Sequence, residues 1–295
     1  MTLGAFLSEH PLFFYTLLGL LGAVVGSFLN VVILRLPRIM RREWVSDCRA
    51  LLELDAASEG QNAEQDEEPL SLAFPGSHCP SCGASIQAWQ NIPVVSFLLL
   101  RANCAACKVR ISPRYPLVET ITAVASVCVG FYSGVSLDTV AYLFLTWTLI
   151  ALSGIDIDTQ LLPDDLTLPL LWAGLLFNLV WGAVSLQDAV IGAAAGYLLL
   201  WSIYWLFKLA TGKEGMGYGD FKLLAALGAW LGWQGLPSII LLSSVVGAVL
   251  GILILALRKQ DRSVGLPFGP YLAIAGWICL IWGASLNRLF LGGGI

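Results

Sequence analysis

Four cysteines in two Cys-x-x-Cys pairs form the clearest chemical pattern in this sequence. Cys79 and Cys82 are separated from Cys104 and Cys107 by 21 residues. Two such pairs can supply the four thiolates of a tetrahedral zinc site. A closed set of four ligands leaves no position for water, so we predict a structural metal and not a reactive one. Two disulfides or a redox pair are the alternatives.

Aspartates within otherwise apolar sequence form a second pattern. Asp156 and Asp158 end one apolar run, Asp164 and Asp165 begin the next, and Asp220 follows Gly-Tyr-Gly. Ionisable groups at membrane depth are costly, so each is a candidate functional residue. Two carboxylates in a partly dry site cannot both ionise easily, and such a pair can activate water for amide hydrolysis. A cation or proton pathway uses paired carboxylates equally well, so both interpretations stay open.

The composition indicates a membrane protein. The 295 residues are 57% hydrophobic and 12% charged, against about 25% charged in soluble domains. Neither a disordered chain nor a basic nucleic-acid binder has such a composition, and the net charge is −4. We predict an all-α polytopic membrane protein with about eight transmembrane helices, since eight runs approach the length that spans a bilayer. These runs are 11–34, 116–134, 138–155, 161–182, 187–207, 217–234, 237–257 and 268–290.

Basic residues predict the orientation. With eight spans, 15 of the 16 lysines and arginines fall on one side, and the positive-inside rule makes that side cytoplasmic. Both termini are then expected to be periplasmic, with Asp156 and Asp220 near the cytoplasmic face. The first run has no basic region before it and is too long for the apolar part of a cleavable signal peptide, so we expect it to be retained. The cysteine pairs would lie in a reducing compartment, which argues against disulfides.

We expect three parts along the chain. Residues 1–34 form the first transmembrane helix, 35–115 a cytoplasmic module and 116–295 a membrane core of seven helices. The module contains an acidic linker at 43–70 and a zinc-ribbon-like four-cysteine module at 75–112. Nine acidic residues and one arginine lie within 43–68. Such a segment is either a solvated linker or a surface that attracts a basic peptide.

Several motifs together resemble a known family. Gly217-Tyr218-Gly219-Asp220 resembles the GxGD motif of membrane aspartic proteases. With residues 26–32, both cysteine pairs and the stretch from Tyr115 to Glu119, it is similar to the bacterial type IV prepilin peptidases over nearly the whole chain. These proteins are also called prepilin leader peptidase/N-methyltransferases.

The resemblance implies a two-step reaction in the bacterial inner membrane. Such enzymes remove the basic leader of type IV prepilins and type II secretion pseudopilins, then methylate the new N-terminal residue with S-adenosylmethionine. Matching the motifs places the catalytic aspartates at Asp156 and Asp220. It makes Asp158, Asp164 and Asp165 supporting or water-facing residues.

Two features limit what the resemblance implies about methyl transfer. Where the family pattern has a glycine shortly before the second cysteine pair, this chain has Ala102. That glycine belongs to the region which the family associates with methyl transfer. Nothing resembles a glycine-rich Rossmann motif, so the sequence assigns no binding site to the methyl donor.

A transporter or channel with a cytoplasmic zinc module is the alternative from another class. It would need polar residues at mid-depth, and the predicted spans have few there apart from Asn178. A purely structural scaffold of a secretion apparatus would leave the paired aspartates unexplained.

Overall fold

The computed structural model describes residues 3–52, 70–213, 215–258 and 267–291. Within these ranges the regular structure is helical, apart from two isolated β-bridges near the cysteines. The chain divides into two compact units, Met1–Val135 and Ser136–Ile295. The α-helices are α1 (Leu3–Glu9), α2 (Pro11–Leu51), α3 (Val95–Leu99), α4 (Arg114–Ser133), α5 (Leu137–Thr159), α6 (Asp164–Val180), α7 (Leu186–Thr211), α8 (Tyr218–Leu231), α9 (Leu236–Arg258) and α10 (Gly269–Leu291).

The eight predicted apolar segments all form helices, α2 and α4 to α10, which confirms the all-α membrane class. Among the described residues, α2, α4, α5 and α7 are each long and apolar enough to cross a bilayer. The short α8 bends by 117° into α9, and the two together can count as a fifth, broken span. The other predicted segments are shorter in the part of the chain that the structure describes: α6 has 17 residues, and the apolar part of α10 is Gly269–Gly283.

The first unit is built on the packing of α2 against α4. Gly22 and Gly26 lie one turn apart on α2, and small residues at this spacing let two helices approach closely. A Cβ on Gly26 would lie 2.7 Å from the Cα of Glu119. The side chain of Asn30 donates to the backbone carbonyl of Tyr115 over 3.1 Å, which fixes the register of the two helices.

Helix α2 extends well beyond the end predicted at residue 34. It continues to Leu51 with Pro37 inside it, since most residues after this proline favour helix. The first residues of the acidic stretch, 43–52, therefore belong to α2 or directly follow it. The rest of that stretch, 53–69, lies outside the described residues.

The second unit surrounds α8. From Asp220 to Trp230 the helix is buried at every position except Lys222. The core around it includes Leu170, Leu200 and Leu272 from three other helices. Helices α7 and α8 approach each other closely where two glycines face each other. A Cβ on Gly192 of α7 or on Gly228 of α8 would collide with the backbone of the other helix. The unit therefore presents the first turn of α8 from a rigid, well-packed position.

Candidate active site and metal centre

Asp156 lies in the last turn of α5 and is 5% exposed. A helix C-terminus disfavours a carboxylate. The backbone N–H of Gly269, the first residue of α10, offsets this by donating to Asp156 Oδ2 over 2.9 Å. A Cβ on Gly269 would lie only 2.7 Å from the same oxygen. Glycine at this position therefore permits a hydrogen bond that a larger residue would obstruct.

Asp220 lies in the first turn of α8 and is 7% exposed. Its Oδ1 is buried and has no hydrogen-bond partner, and it is the only such side-chain atom in the part of the chain that the structure describes. Leaving a buried polar atom unpaired costs about 1–3 kcal/mol. Such atoms are rare in folded proteins, and a catalytic role is one of the explanations for them.

The structure brings these two aspartates together, although 64 positions separate them in the sequence. The two carboxylates are close enough to repel each other electrostatically. Leu162 packs against both Gly219, which precedes Asp220, and Gly269, which donates to Asp156. A Cβ on Gly219 would lie 2.6 Å from Leu162 Cβ, and one on Gly269 would lie 3.1 Å from Leu162 Cδ2. The two carboxylates are thus buried in the same part of the second unit, where their charges disfavour each other's ionisation.

The remaining aspartates of this region lie outside the buried pair. Asp158, Asp164 and Asp165 are all exposed. The Nζ of Lys222 contacts both carboxylate oxygens of Asp164 at 2.6 and 2.7 Å, and this ion pair connects the first turns of α6 and α8. Sequence reasoning missed Lys222 as an anchor, although a lysine near the start of an apolar helix is unfavourable without a partner.

Gly269 was also missed by sequence reasoning. Its contribution is a backbone N–H, which any residue except proline carries. Only the packing of α10 against the end of α5 reveals that this N–H points at Asp156.

The four predicted metal ligands form one cluster. The Sγ atoms of Cys79, Cys82, Cys104 and Cys107 all lie within 4.8 Å of one another. Cys79 Sγ and Cys107 Sγ are 3.8 Å apart, which matches the roughly 3.8 Å between ligands of a tetrahedron with Zn–S bonds of about 2.3 Å. All seven cysteines of the chain are free thiols. The donor set and its spacing fit zinc.

Two similar turns hold these cysteines. The N–H of Cys79 donates to the carbonyl of Ala84 over 2.9 Å, and the N–H of Cys104 donates to that of Val109 over 2.8 Å. Each turn is closed by one of the isolated β-bridges, His78 with Ser85 and Asn103 with Arg110. Each turn thus presents its two thiols largely through local backbone hydrogen bonds.

The second turn favours a thiolate. Backbone N–H groups of Cys107 and Ala106 hydrogen-bond to the Cys104 sulfur and lower the pKa of this thiol to about 6. Metals bind the deprotonated form, so this ligand is already available at neutral pH. In the same turn the Val109 backbone lowers the pKa of Cys107, but burial and the other three thiols together raise it to about 11. The two thiols of this turn therefore differ in how easily they lose a proton.

Ala102 occupies a left-handed conformation just before the second turn. Its φ is +59°, a region in which glycine is favoured and a Cβ is strained. The glycine expected from the family pattern at this position therefore has a conformational reason, and the alanine retains the same backbone at some cost.

Comparison with known protein families gives two matches. The Type IV leader peptidase family matches residues 143–252. The Bacterial Peptidase A24 N-terminal domain matches residues 20–132. The first match contains both buried aspartates, and the second contains all four clustered cysteines.

Curated relatives match over nearly the full length. A protein of Aeromonas hydrophila named prepilin leader peptidase/N-methyltransferase is 57% identical over 281 residues, which cover 95% of each chain. Proteins with the same name from Stutzerimonas stutzeri and Pseudomonas aeruginosa are 55% and 53% identical, each over 99% of this chain and 98% of the relative. No solved structure gives a significant match.

Proposed function

The chain belongs to the type IV leader peptidase family, and from this premise we propose that it is a bifunctional membrane enzyme. It removes the leader from type IV prepilins and type II secretion pseudopilins, and then methylates the new N-terminal amine with a methyl group from S-adenosylmethionine. The relatives give no support to the transporter or channel alternative.

The catalytic residues we propose for cleavage are Asp156 and Asp220. One observation carries this assignment: two buried aspartates meet at helix ends, and Asp220 Oδ1 has no partner. With one proton shared by the pair, the charged carboxylate takes a proton from water, which attacks the scissile carbonyl carbon. The protonated carboxyl donates to the carbonyl oxygen and recovers its proton when the C=O bond reforms. The C–N bond breaks as the other carboxyl passes the proton taken from water to the leaving nitrogen.

The four-cysteine cluster is proposed to hold one structural zinc ion. It binds through Cys79, Cys82, Cys104 and Cys107, which fill a tetrahedron and leave no open position for substrate. The ion would join the two turns and contribute to the stability of the module. We assign it no step of the reaction.

We propose that the protein resides in the bacterial inner membrane with both termini in the periplasm. The support is the distribution of charge, since 15 of the 16 basic residues fall on one side of an eight-span arrangement. In that orientation the aspartate pair faces the cytoplasm, where a basic leader first arrives.

Leader release from a prepilin tests the assignment of the aspartates. Purified protein in detergent or lipid is mixed with a prepilin, and the products are measured by mass spectrometry. Asp156→Asn and Asp220→Asn should each lower the cleavage rate by roughly 10⁴-fold, the loss that single catalytic carboxylates show elsewhere. Asp165→Asn is the matched control, because this aspartate is exposed at the start of α6. Near-normal cleavage by either pair variant would contradict the assignment.

A further inference from the structure

Glu119 is a buried carboxylate that the cleavage reaction does not use. It belongs to α4 in the first unit and is 8% exposed. It does not cap its own helix, because α4 begins at Arg114 and has no acidic residue in its first turn. Among the described residues its hydrogen-bond partners are neutral. A buried carboxylate without a cation is costly, so its presence calls for a function.

Two groups hold the Glu119 carboxylate in place. The backbone N–H of Val94 donates to Oε2 over 2.7 Å, and the hydroxyl of Ser27 on α2 also donates to the carboxylate. Val94 has φ +60° and ψ −46°. A β-branched residue in this region costs about 1–3 kcal/mol, and such strain is found mainly at functional sites.

The same unit has an open cavity of about 280 Å³, which is lined by neighbours of Glu119 and not by Glu119 itself. It connects with Glu119 through Ser27, which lines the cavity, and through Pro93, which lines it and precedes Val94. Its other polar lining residues are Ser77 and Asn91, and its apolar wall is formed by Val24, Phe28 and Val31. Pockets for drug-sized ligands range from about 300 to 1,000 Å³. This cavity therefore suits the end of a chain and not a whole nucleoside cofactor.

The apolar wall is open on the surface of α2. Val24 and Phe28 lie one helical turn apart and are 60% and 53% exposed. A ligand that occupies this cavity and reaches Glu119 past Ser27 carries a cation or amine at one end and an apolar side chain next to it. The N-terminus of a polypeptide that begins with an apolar residue has this chemistry.

We propose that Glu119, together with Ser27 and Asn91, binds the N-terminal amine of the processed substrate for methyl transfer. This inference rests on the proposed function and identifies the acceptor side of its second reaction. In that reaction the amine lone pair forms the new N–C bond, while the S–C bond of the donor breaks and its electrons remain on sulfur. The methylated nitrogen then releases one proton. The carboxylate orients the amine and can accept that proton.

Glu119→Gln is the main test, because glutamine keeps the size and the oxygen acceptor for Val94 but removes the charge. The variant should methylate a processed substrate about ten- to a hundredfold more slowly, the effect of one charged hydrogen bond. Leader cleavage should stay within about twofold of the wild type, because the aspartate pair is unchanged. Thr120→Val is the matched control, since Thr120 is exposed on the same helix and its hydroxyl donates to the Pro116 carbonyl of that helix.

Peptide binding gives a second measurement that does not depend on turnover. A peptide with the sequence of the processed N-terminus is compared with its N-acetylated form. The wild type should prefer the free amine about ten- to a hundredfold, and Glu119→Gln should bind both peptides equally. An unchanged preference in the variant, or methyl transfer at the wild-type rate, would overturn the proposal and leave Glu119 as an anchor for the segment before α3.

If Glu119→Gln also impairs cleavage, Ser27→Ala is a second variant that can still contradict the proposal. This variant removes one donor to the carboxylate without altering the buried charge, and it should weaken the preference for the free amine at normal cleavage. Full methylation and full preference in Ser27→Ala would then overturn the proposal. A wild-type protein that cleaves no prepilin would instead contradict the proposed function.

Discussion

The metal centre and the aspartate pair are assembled in different ways. The four cysteines lie within 29 consecutive residues, 79–107, and each pair is held by a turn with its own backbone hydrogen bonds. The two aspartates come from α5 and α8, and their geometry also depends on Gly269 at the start of α10. The first site is mainly local, whereas the second exists only when distant helices pack. Metal removal and packing changes should therefore affect the two sites separately.

Removing one cysteine should have the largest effect on stability. Cys79→Ser is expected to release about one zinc ion per chain and to unfold the 75–112 module, because structural zinc contributes about 10–16 kcal/mol to the folding of small domains. The membrane core should still insert, since its stability comes from helix packing. Metal analysis and limited proteolysis measure both effects. Cys128→Ser is the control, as Cys128 belongs to α4 and lies outside the cluster.

Acid should release the metal next. The pKa of Cys104 lies at about 6, below its usual value of 9. The contribution of this thiolate to the stability of the folded module is therefore complete above pH 9 and is lost as the pH falls through 6. Bound zinc lowers the pKa of its ligands further. The zinc content should therefore fall as the pH is lowered through about 6, where Cys104 gains a proton, while Cys107, with its pKa raised to about 11, is a ligand that the metal itself must deprotonate. Loss of zinc already at neutral pH would contradict this account of the ligand.

A methyl group at Gly269 should damage the aspartate pair and spare the metal. Its Cβ would lie 2.7 Å from Asp156 Oδ2, so Gly269→Ala must displace the carboxylate or α10. A misplacement of 1 Å in a catalytic site costs about a hundredfold in rate, and we expect a loss of this size in cleavage with unchanged zinc content. Gly283→Ala lies on the same helix and meets no atom within 4 Å. Equal cleavage rates for both variants would rule out positioning by Gly269.

The ion pair between Lys222 and Asp164 should matter less. Their side chains are 29% and 52% exposed, and exposed pairs contribute about 0–1 kcal/mol. Lys222→Met and Asp164→Asn should each reduce cleavage by a few-fold, because α6 and α8 lose one contact between their first turns. In a double-mutant cycle the two changes should not be additive. Fully additive losses would show that the pair does not couple these helices.

The smallest expected effect concerns Ala102. A left-handed conformation costs a non-glycine residue about 1–2 kcal/mol, and the φ of Ala102 is +59°. Ala102→Gly should therefore stabilise the module by about 1 kcal/mol and raise the chelator concentration needed to remove zinc. Ala105→Gly, between the cysteines and without a positive φ, should not stabilise it. If Ala102→Gly lost zinc at a lower chelator concentration than the wild type, this would contradict backbone strain at Ala102.

Much of the molecule could be predicted from residue types alone. The composition determines a helical membrane protein, because so few charged groups cannot cover a water-exposed surface. The spacing of the cysteines predicts the metal ligands, since a Cys-x-x-Cys turn forms within a few residues and needs little help from the remaining fold. The cost of charge at membrane depth singled out Asp156 and Asp220 as candidates.

Tertiary structure decided which of these groups meet and how they are held. Asp156, Asp158, Asp164 and Asp165 look alike in the sequence, but only Asp156 is buried beside Asp220. The N–H groups of Gly269 and Val94 carry no sequence signature, because backbone groups are common to nearly all residues. Apolar runs likewise predicted the helices but neither the extension of α2 to Leu51 nor the 117° bend between α8 and α9, because helix ends and bends depend on packing as well as on composition.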